Sequence, residues 1–215
     1  MSGLQVSNHV ALNYLKNCPN DLLHRKSEIE NSFASLFLEI GDVVQAEERN
    51  AEALALYKLF YGEKEHPLLG HIFKQAGDIE NQKANTKQAL GLYQQARDIF
   101  FHFLGKDTHL PDVADTLFNL GLLHADIQDF DTAEKEYSEA FKIYLSLYHK
   151  TPMLFGEQLC NTALLFGLML VDKEIDENRG WFLIREAYQI ALENSEQKWF
   201  IDFKEYIDEI QEMLL

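Results

Sequence analysis

The side chains best suited to chemistry in this chain are eight histidines, two cysteines and an excess of carboxylates. Metal and catalytic sites need such residues at short, defined spacings. The histidines form no HxxxH or HExxH pattern, and Cys18 and Cys160 are far apart with no CxxC. The spacing therefore predicts neither a metal centre nor a disulfide framework.

The sequence also lacks the common motifs for phosphate binding and nucleophilic catalysis: GxxxxGK[ST], GxGxxG and GxSxG. An acidic, solvated surface explains the 35 Asp and Glu residues better than an acid/base pair does. We therefore expect a protein that is not an enzyme and that has no cofactor. An enzyme with a non-standard site is the alternative, which a deep pocket with convergent titratable groups would support.

Composition limits the class of partner. A net charge of −16 argues against nucleic-acid binding, which needs a basic face. It favours basic or neutral partners, although a solvated acidic surface without a partner explains it equally well. The N-terminus lacks the pattern of a secretory signal, and the most apolar run, 162–171, is too short to cross a bilayer. We expect a cytoplasmic protein without a membrane span, with delivery to a host cytosol as an alternative.

A pattern of small and large residues recurs along the chain and indicates the elements. Four small residues are expected late in the first helix of a helical pair: Gly41, Gly77, Gly121 and Ala163. Twelve, 16 and 19 residues after the first three come Ala53, Tyr57 and Phe60, then Ala89, Tyr93 and Ala96, then Ala133, Tyr137 and Ala140. A fourth copy, with Gly180, Ile184 and Ala187, requires a five-residue insertion in its turn.

Close helix packing explains this pattern, because small residues let two helix backbones approach and the large residue fills the adjoining gap. One pair cannot bury its apolar face alone, so the pairs must stack. Pro67, Pro111 and Pro152 are expected in the first turns of helices. Ser27 and Glu30 form a capping-box pattern that would begin the first long helix.

The clearest copy, with Leu117, Leu120, Gly121, Ala133, Tyr137 and Ala140, resembles the tetratricopeptide repeat (TPR). The long second helices and the links ending in proline resemble the kinesin-light-chain subtype. The resemblance implies an all-α fold, an α-solenoid of about four helix-turn-helix repeats at about 27–65, 66–109, 110–150 and 151–195. An N-terminal helix and link would occupy 1–26, and a C-terminal capping helix 196–215. The first copy departs from the pattern, since Phe60 is large and its second helix looks two turns shorter. Another α-solenoid or an irregular helical bundle is the alternative.

In this family the first helices line a concave groove that binds a peptide or a helix of a partner protein. The resemblance places these residues in the groove: Ser35, Glu39, Asp42, His71, Lys74, Gln75, Asp78, Asp115, Asn119, Leu122, Asn161 and Leu164. The N-terminal half would carry mainly carboxylates, which suits a basic or amphipathic segment. Each of these residues has an alternative interpretation as an ordinary polar helix position.

The C-terminal segment carries an apolar stripe from Trp199 to Leu214, which we expect to pack as a cap on the last pair. A homodimer interface or a docking face for another protein is the alternative for this stripe. We predict a scaffold for protein–protein interaction, an adaptor. The alternative is a bacterial regulatory or secreted effector that acts on a target protein through the same surface.

Overall fold

The computed structural model describes residues 20–104 and 110–194, together with 196, 197, 199 and 203. Over these residues the chain forms eight α-helices and no β-strand, so the predicted all-α fold is confirmed. The helices are α1 Asn20–Glu39, α2 Val43–Tyr61, α3 Pro67–Gln82, α4 Thr86–Leu104, α5 Pro111–Asp126, α6 Phe130–Lys150, α7 Pro152–Asp172 and α8 Glu177–Glu193. The predicted N-terminal helix and most of the predicted C-terminal cap lie outside the described residues.

The helices divide into two compact units, with α1–α4 in unit 1 and α5–α8 in unit 2. In unit 1, α1 pairs with α2 and α3 with α4, and α2 packs against α3. In unit 2, α5 pairs with α6 and α7 with α8, and α6 packs against α7. Each unit therefore holds two stacked helical hairpins, in which the second helix of one hairpin contacts the first helix of the next.

The ends of the helices follow local chemistry. Pro67, Pro111 and Pro152 hold the first positions of α3, α5 and α7, as predicted, because a first-turn residue needs no N–H donor. Three aspartates cap second helices by accepting a hydrogen bond from the backbone N–H three residues on: Asp42, Asp129 and Asp176.

The predicted capping box at Ser27 and Glu30 is wrong. Helix α1 already begins at Asn20, so residues 20–26 are helical and do not form a link. Ser27 is buried inside α1, and its hydroxyl donates a 2.8 Å hydrogen bond to the carbonyl oxygen of Ala53. Its polar side chain therefore ties α1 to α2.

The turn inside each hairpin contains one residue with left-handed backbone: Gly41 (φ 80°), Ala84 (58°), Gln128 (65°) and Glu174 (53°). The small packing residue lies seven residues earlier in each copy, which gives Ala34, Gly77, Gly121 and Gly167. The predicted place of Gly41 late in a first helix is therefore wrong. Helix α1 ends at Glu39, and apart from its two chain neighbours no described residue has an atom within 4 Å of the position that a Cβ on Gly41 would occupy.

This shift changes the alignment of the first copy by seven residues. Its second helix contributes Ala46, Asn50 and Ala53 at the positions that Ala89, Tyr93 and Ala96 hold in the second copy, and all six are buried. Tyr57 then corresponds to Phe100, and Phe60 replaces no small residue. Helices α2 and α4 both have 19 residues, so the predicted shortening of the first copy is also wrong.

In the fourth copy the small residue is Gly167, one helical turn after Ala163. A Cβ on Gly167 would lie 2.7 Å from the carbonyl oxygen of Gly180 and 2.9 Å from the side chain of Ile184. The turn covers residues 173–176, against 127–129 in the third copy. The insertion is therefore one residue rather than five.

Helix α7 is the most apolar of the described helices by mean hydropathy, and it contains the run 162–171. By length and composition alone its 21 residues could cross a membrane, but 56 % of its most apolar window is buried within the protein. The helix packs against α6 and α8 as a core helix does. It is weak evidence for a membrane span.

Candidate binding surfaces on the first helices

The first helices of the hairpins, α1, α3, α5 and α7, carry the residues predicted to bind a partner. In each first helix we compare three positions, which lie six residues before, three residues before and one residue after the corrected small residue. In unit 1 they hold Glu28, Asn31 and Ser35 on α1, and His71, Lys74 and Asp78 on α3. In unit 2 they hold Asp115, Phe118 and Leu122 on α5, and Asn161, Leu164 and Leu168 on α7.

On unit 1 this surface is polar, and its charges are bound within the unit. Asp78 accepts hydrogen bonds from Lys74 Nζ at 3.2 Å and from the hydroxyl of Tyr93 at 2.8 Å. Gln75 is buried and His71 packs edge-on against Phe100, with ring centroids 5.0 Å apart. These contacts give the predicted groove residues of α3 structural roles of their own.

The remaining predicted residues of unit 1 lie at the end of α1 and beyond it. Asp42 is the N-cap of α2, where its carboxylate accepts a 3.1 Å hydrogen bond from the N–H of Gln45. Glu39 is exposed in the last turn of α1, and Ser35 is partly exposed. Helices α1 and α3 meet near this end, since the Gln82 side chain donates to the carbonyl oxygen of Leu38 at 3.4 Å.

On unit 2 the same face is apolar. Phe118 and Leu122 of α5 and Leu165 of α7 are partly exposed and pack around one buried cluster. The cluster consists of Ala133, Tyr137, Phe166, Met169, Leu170 and Leu183. Two first helices therefore contribute partly exposed apolar side chains to the edge of the same apolar core.

The predicted groove residue Leu164 is only 1 % exposed, so it belongs to the core and cannot contact a partner. Its neighbours Leu165 and Leu168 are partly exposed. The prediction that Ala163 is the small residue places the groove four residues too early and does not include them. The signal that identifies them is Gly167, which lies 13 residues before Gly180. Asn119 and Asn161 are partly exposed on α5 and α7.

Asp115, at the start of this surface, accepts a hydrogen bond from the hydroxyl of Tyr144 on α6. Burial, followed by the charge of Asp115, raises the pKa of the Tyr144 phenol. Tyr144 therefore stays protonated as a donor at every physiological pH. Like Asp78, Asp115 has a structural contact that the sequence pattern does not reveal.

Two further pairs of titratable groups on unit 2 have structural roles. His124 Nδ1 and Glu136 Oε2 are 2.6 Å apart and buried, and they join α5 to α6. An open depression of ≈ 550 Å³ on unit 2 is lined by Asp131, Glu134, Lys135, Ser138, Glu139, Lys142 and Arg179. Within it, Arg179 pairs with Glu134 at 2.6 Å and lies over the Phe166 ring. Among the described residues no group of His, Cys, Asp and Glu is arranged to hold a metal ion.

Comparison with known proteins supports the fold. No family model and no curated protein matches the chain. A solved structure of BtubC (BKLC) from P. vanneervenii, a bacterial kinesin-light-chain-like protein with TPR-type repeats, matches with a TM-score of 0.62 and 20 % sequence identity. The match covers 78 % of this chain but only 63 % of the length of BtubC. The protein therefore has an all-α helical-repeat fold of the tetratricopeptide type, as in kinesin-light-chain-like proteins.

Proposed function

We propose that the protein is a non-enzymatic scaffold that binds an amphipathic peptide or helix of a partner protein on the first helices of unit 2. The observation that supports this is that Phe118 and Leu122 of α5 and Leu165 of α7 are partly exposed apolar side chains at the edge of one buried cluster. A partly exposed apolar surface built from two helices suits the apolar face of an amphipathic segment.

Polar residues beside this surface suit the rest of such a segment. Asn161 lies one turn before Leu165 on α7, and its amide can both donate to and accept from a peptide backbone. Asp126 and Glu157 are exposed one turn beyond Leu122 and one turn before Asn161. With the net charge of −16, these carboxylates favour a partner whose apolar face is flanked by basic residues.

The surface of unit 1 is a weaker candidate, because Asp42 and Asp78 serve the fold and Gln75 is buried. Glu39 remains an exposed carboxylate that can add to the attraction for a basic segment. The proposal takes the protein to act in the cytoplasm, where such a partner would be met.

An affinity pulldown from the native cytosol, read by mass spectrometry, tests the proposal. We expect Leu122→Ser and Glu157→Lys each to deplete the same partner. Phe182→Asp is the matched control, because Phe182 is 56 % exposed on the second helix α8. Thermal unfolding of each variant separates lost binding from lost folding. A partner that is retained by both test variants, or depleted only by Phe182→Asp, would remove the unit 2 surface from consideration.

A further inference from the structure

Helix α1 carries a stripe of large apolar side chains that no described residue covers. Leu22, Ile29, Phe33 and Leu36 of α1, and Ile40 directly after its last residue, are between 45 % and 75 % exposed. The spacings of seven, four and three residues place the four helical side chains on one face of α1, and Ile40 continues the stripe. An exposed apolar stripe of this length marks a surface that packs against another element.

In other hairpins the equivalent face of the first helix is buried. Relative to the small residue Ala34, Ile29 lies five residues before, Phe33 one residue before and Leu36 two residues after. The same positions hold Ile72, Ala76 and Ile79 on α3 and Thr162, Phe166 and Met169 on α7. All of these except Ala76 are 8 % exposed or less.

The second helix of the preceding hairpin covers this face in both units. Asn50 of α2 donates a 3.0 Å hydrogen bond to the carbonyl oxygen of Ile72. Tyr137 of α6 stacks on Phe166, with ring centroids 5.7 Å apart. The stripe on α1 is thus a stacking face that requires a helix in the position of a preceding second helix.

We propose that residues 4–17 of the same chain are that covering helix. The sequence places Leu4, Ala11 and Leu15 at spacings of seven and four, which is one face of a helix. Fourteen helical residues span about 21 Å, against about 27 Å for the stripe from Leu22 to Ile40. Cys18 and Pro19 alone separate the two segments, and a single residue, Thr151, separates α6 from α7.

The tether selects this segment over a second copy of the chain. A two-residue link keeps residues 4–17 beside α1 at an effective concentration in the millimolar range or above. A second copy of the chain would have to compete with this tethered segment.

Photo-crosslinking tests the assignment. Replacing Phe33 with the photoreactive residue p-benzoylphenylalanine should yield crosslinks to residues 4–17. In an equimolar mixture of unlabelled and ¹⁵N-labelled protein, each crosslinked pair should carry a single isotope. The same replacement at Phe182 on unit 2 is the control and should not label residues 4–17. Mixed-isotope pairs would show that a second copy covers the stripe, and either that result or the absence of links to 4–17 would overturn the proposal.

Hydrogen exchange gives a second readout. Ala11→Asp with Leu15→Asp should speed exchange of the α1 amides by at least about tenfold, because the covering face becomes charged. His9→Asp with Asn13→Asp adds the same charge on the opposite face and should leave exchange in α1 unchanged. Equal effects of the two double variants would also contradict the proposed packing.

Discussion

Gly121 lies directly against the ring of Tyr137, and a Cβ on residue 121 would be 3.0 Å from the ring carbon Cδ1. The ring has little room to move, since Phe118 and Phe166 pack at centroid distances of 5.9 and 5.7 Å. In unit 1, a Cβ on residue 77 would likewise be 2.7 Å from the ring of Tyr93. Each pair lets a first and a second helix approach closely.

We expect Gly121→Ala and Gly77→Ala to lower the free energy of unfolding by about 1–3 kcal/mol, because the added methyl must displace a packed ring. Urea unfolding followed by circular dichroism measures this change. Gly91→Ala is the matched control, because α4 leaves the space around Gly91 empty. That variant should be more stable by about 0.5–1 kcal/mol, since alanine favours a helix over glycine. Equal effects at 91 and 121 would contradict the packing argument.

At the left-handed turn positions we expect substitution by glycine to raise the stability of the protein and substitution of glycine by alanine to lower it. Gln128→Gly and Ala84→Gly should each stabilise the protein by about 0.5–1 kcal/mol, because glycine adopts a positive φ without steric cost. Gly41→Ala should destabilise it by a similar amount. Thermal melts of the three variants are sufficient, and a loss of stability at Gln128→Gly would argue against the left-handed conformation there.

Protonation of His66 should weaken unit 1. His66 Nδ1 caps α3 by accepting a 3.2 Å hydrogen bond from the N–H of Leu68, which an imidazolium cannot do. Burial, His24 and His71 lower the pKa of His66, against an opposing effect of Glu28. The unfolded state, with a pKa of about 6.5, therefore binds the proton more readily.

Because the pKa of His66 is lower in the folded state than in the unfolded state, its contribution to stability is complete above pH about 6.5. That contribution is lost as the pH falls towards the folded pKa. Melting temperatures measured between pH 7.5 and 5.5 should show the decline. His66→Ser keeps a capping oxygen without a titration in this range, so it should flatten the decline. An unchanged slope in that variant would assign the pH dependence to another group.

Asp78 should prove important for folding. Asp78→Lys removes the acceptor of Tyr93 and places a second ammonium beside Lys74, which should cost about 1–3 kcal/mol of stability. Glu39→Lys changes the charge by the same amount at an exposed position and should alter stability by less than about 0.5 kcal/mol. Comparing the urea midpoints of the two tests this difference. Charge reversal at Glu39 is therefore the cleaner probe of a basic partner.

Cys160 should report the opening of unit 2. It is fully buried, its thiol donates to the carbonyl oxygen of Ala187 at 2.9 Å, and burial raises its pKa. Because the thiolate is the reactive form, a Cys18→Ser variant should react with a disulfide reagent only as unit 2 opens. The labelling rate should rise with urea in step with unfolding. Rapid labelling in native buffer would show that the thiol is accessible.

The fold was predictable because its determinants repeat in the sequence. Three prolines, the Gly–Ala–Tyr spacing of the middle copies and the aspartate at 129 all indicate helical hairpins. The error in the predicted alignment of the first copy has a physical reason. A seven-residue slip is almost two helical turns, so Ala34 and Gly41 fall on nearly the same face. Apolar periodicity alone does not distinguish them.

The candidate surface was less predictable, because its chemistry depends on side-chain partners. Asp78 is bound by Tyr93, Asp115 by Tyr144, and Asp42 caps a helix, so most of the carboxylates expected to attract a partner serve the fold. Asp42 could have been recognised as a cap from its position three residues before Gln45. The two tyrosine contacts join different helices of a hairpin and depend on its geometry.

The left-handed residues at 41, 84, 128 and 174 set the phase of each hairpin. Residues seven positions apart lie on nearly the same face of a helix, so apolar periodicity alone does not fix the alignment of a copy. A single residue with positive φ fixes it, because it marks one position in the turn. The small residue lies seven positions before the left-handed residue. The three residues of the stacking face lie five, eight and twelve positions before it. An insertion before this residue would rotate the whole stacking face by about 100° relative to the turn. The extra residue of the fourth copy, in contrast, comes after Glu174. It therefore leaves the spacing between the stacking face of α7 and the left-handed residue unchanged.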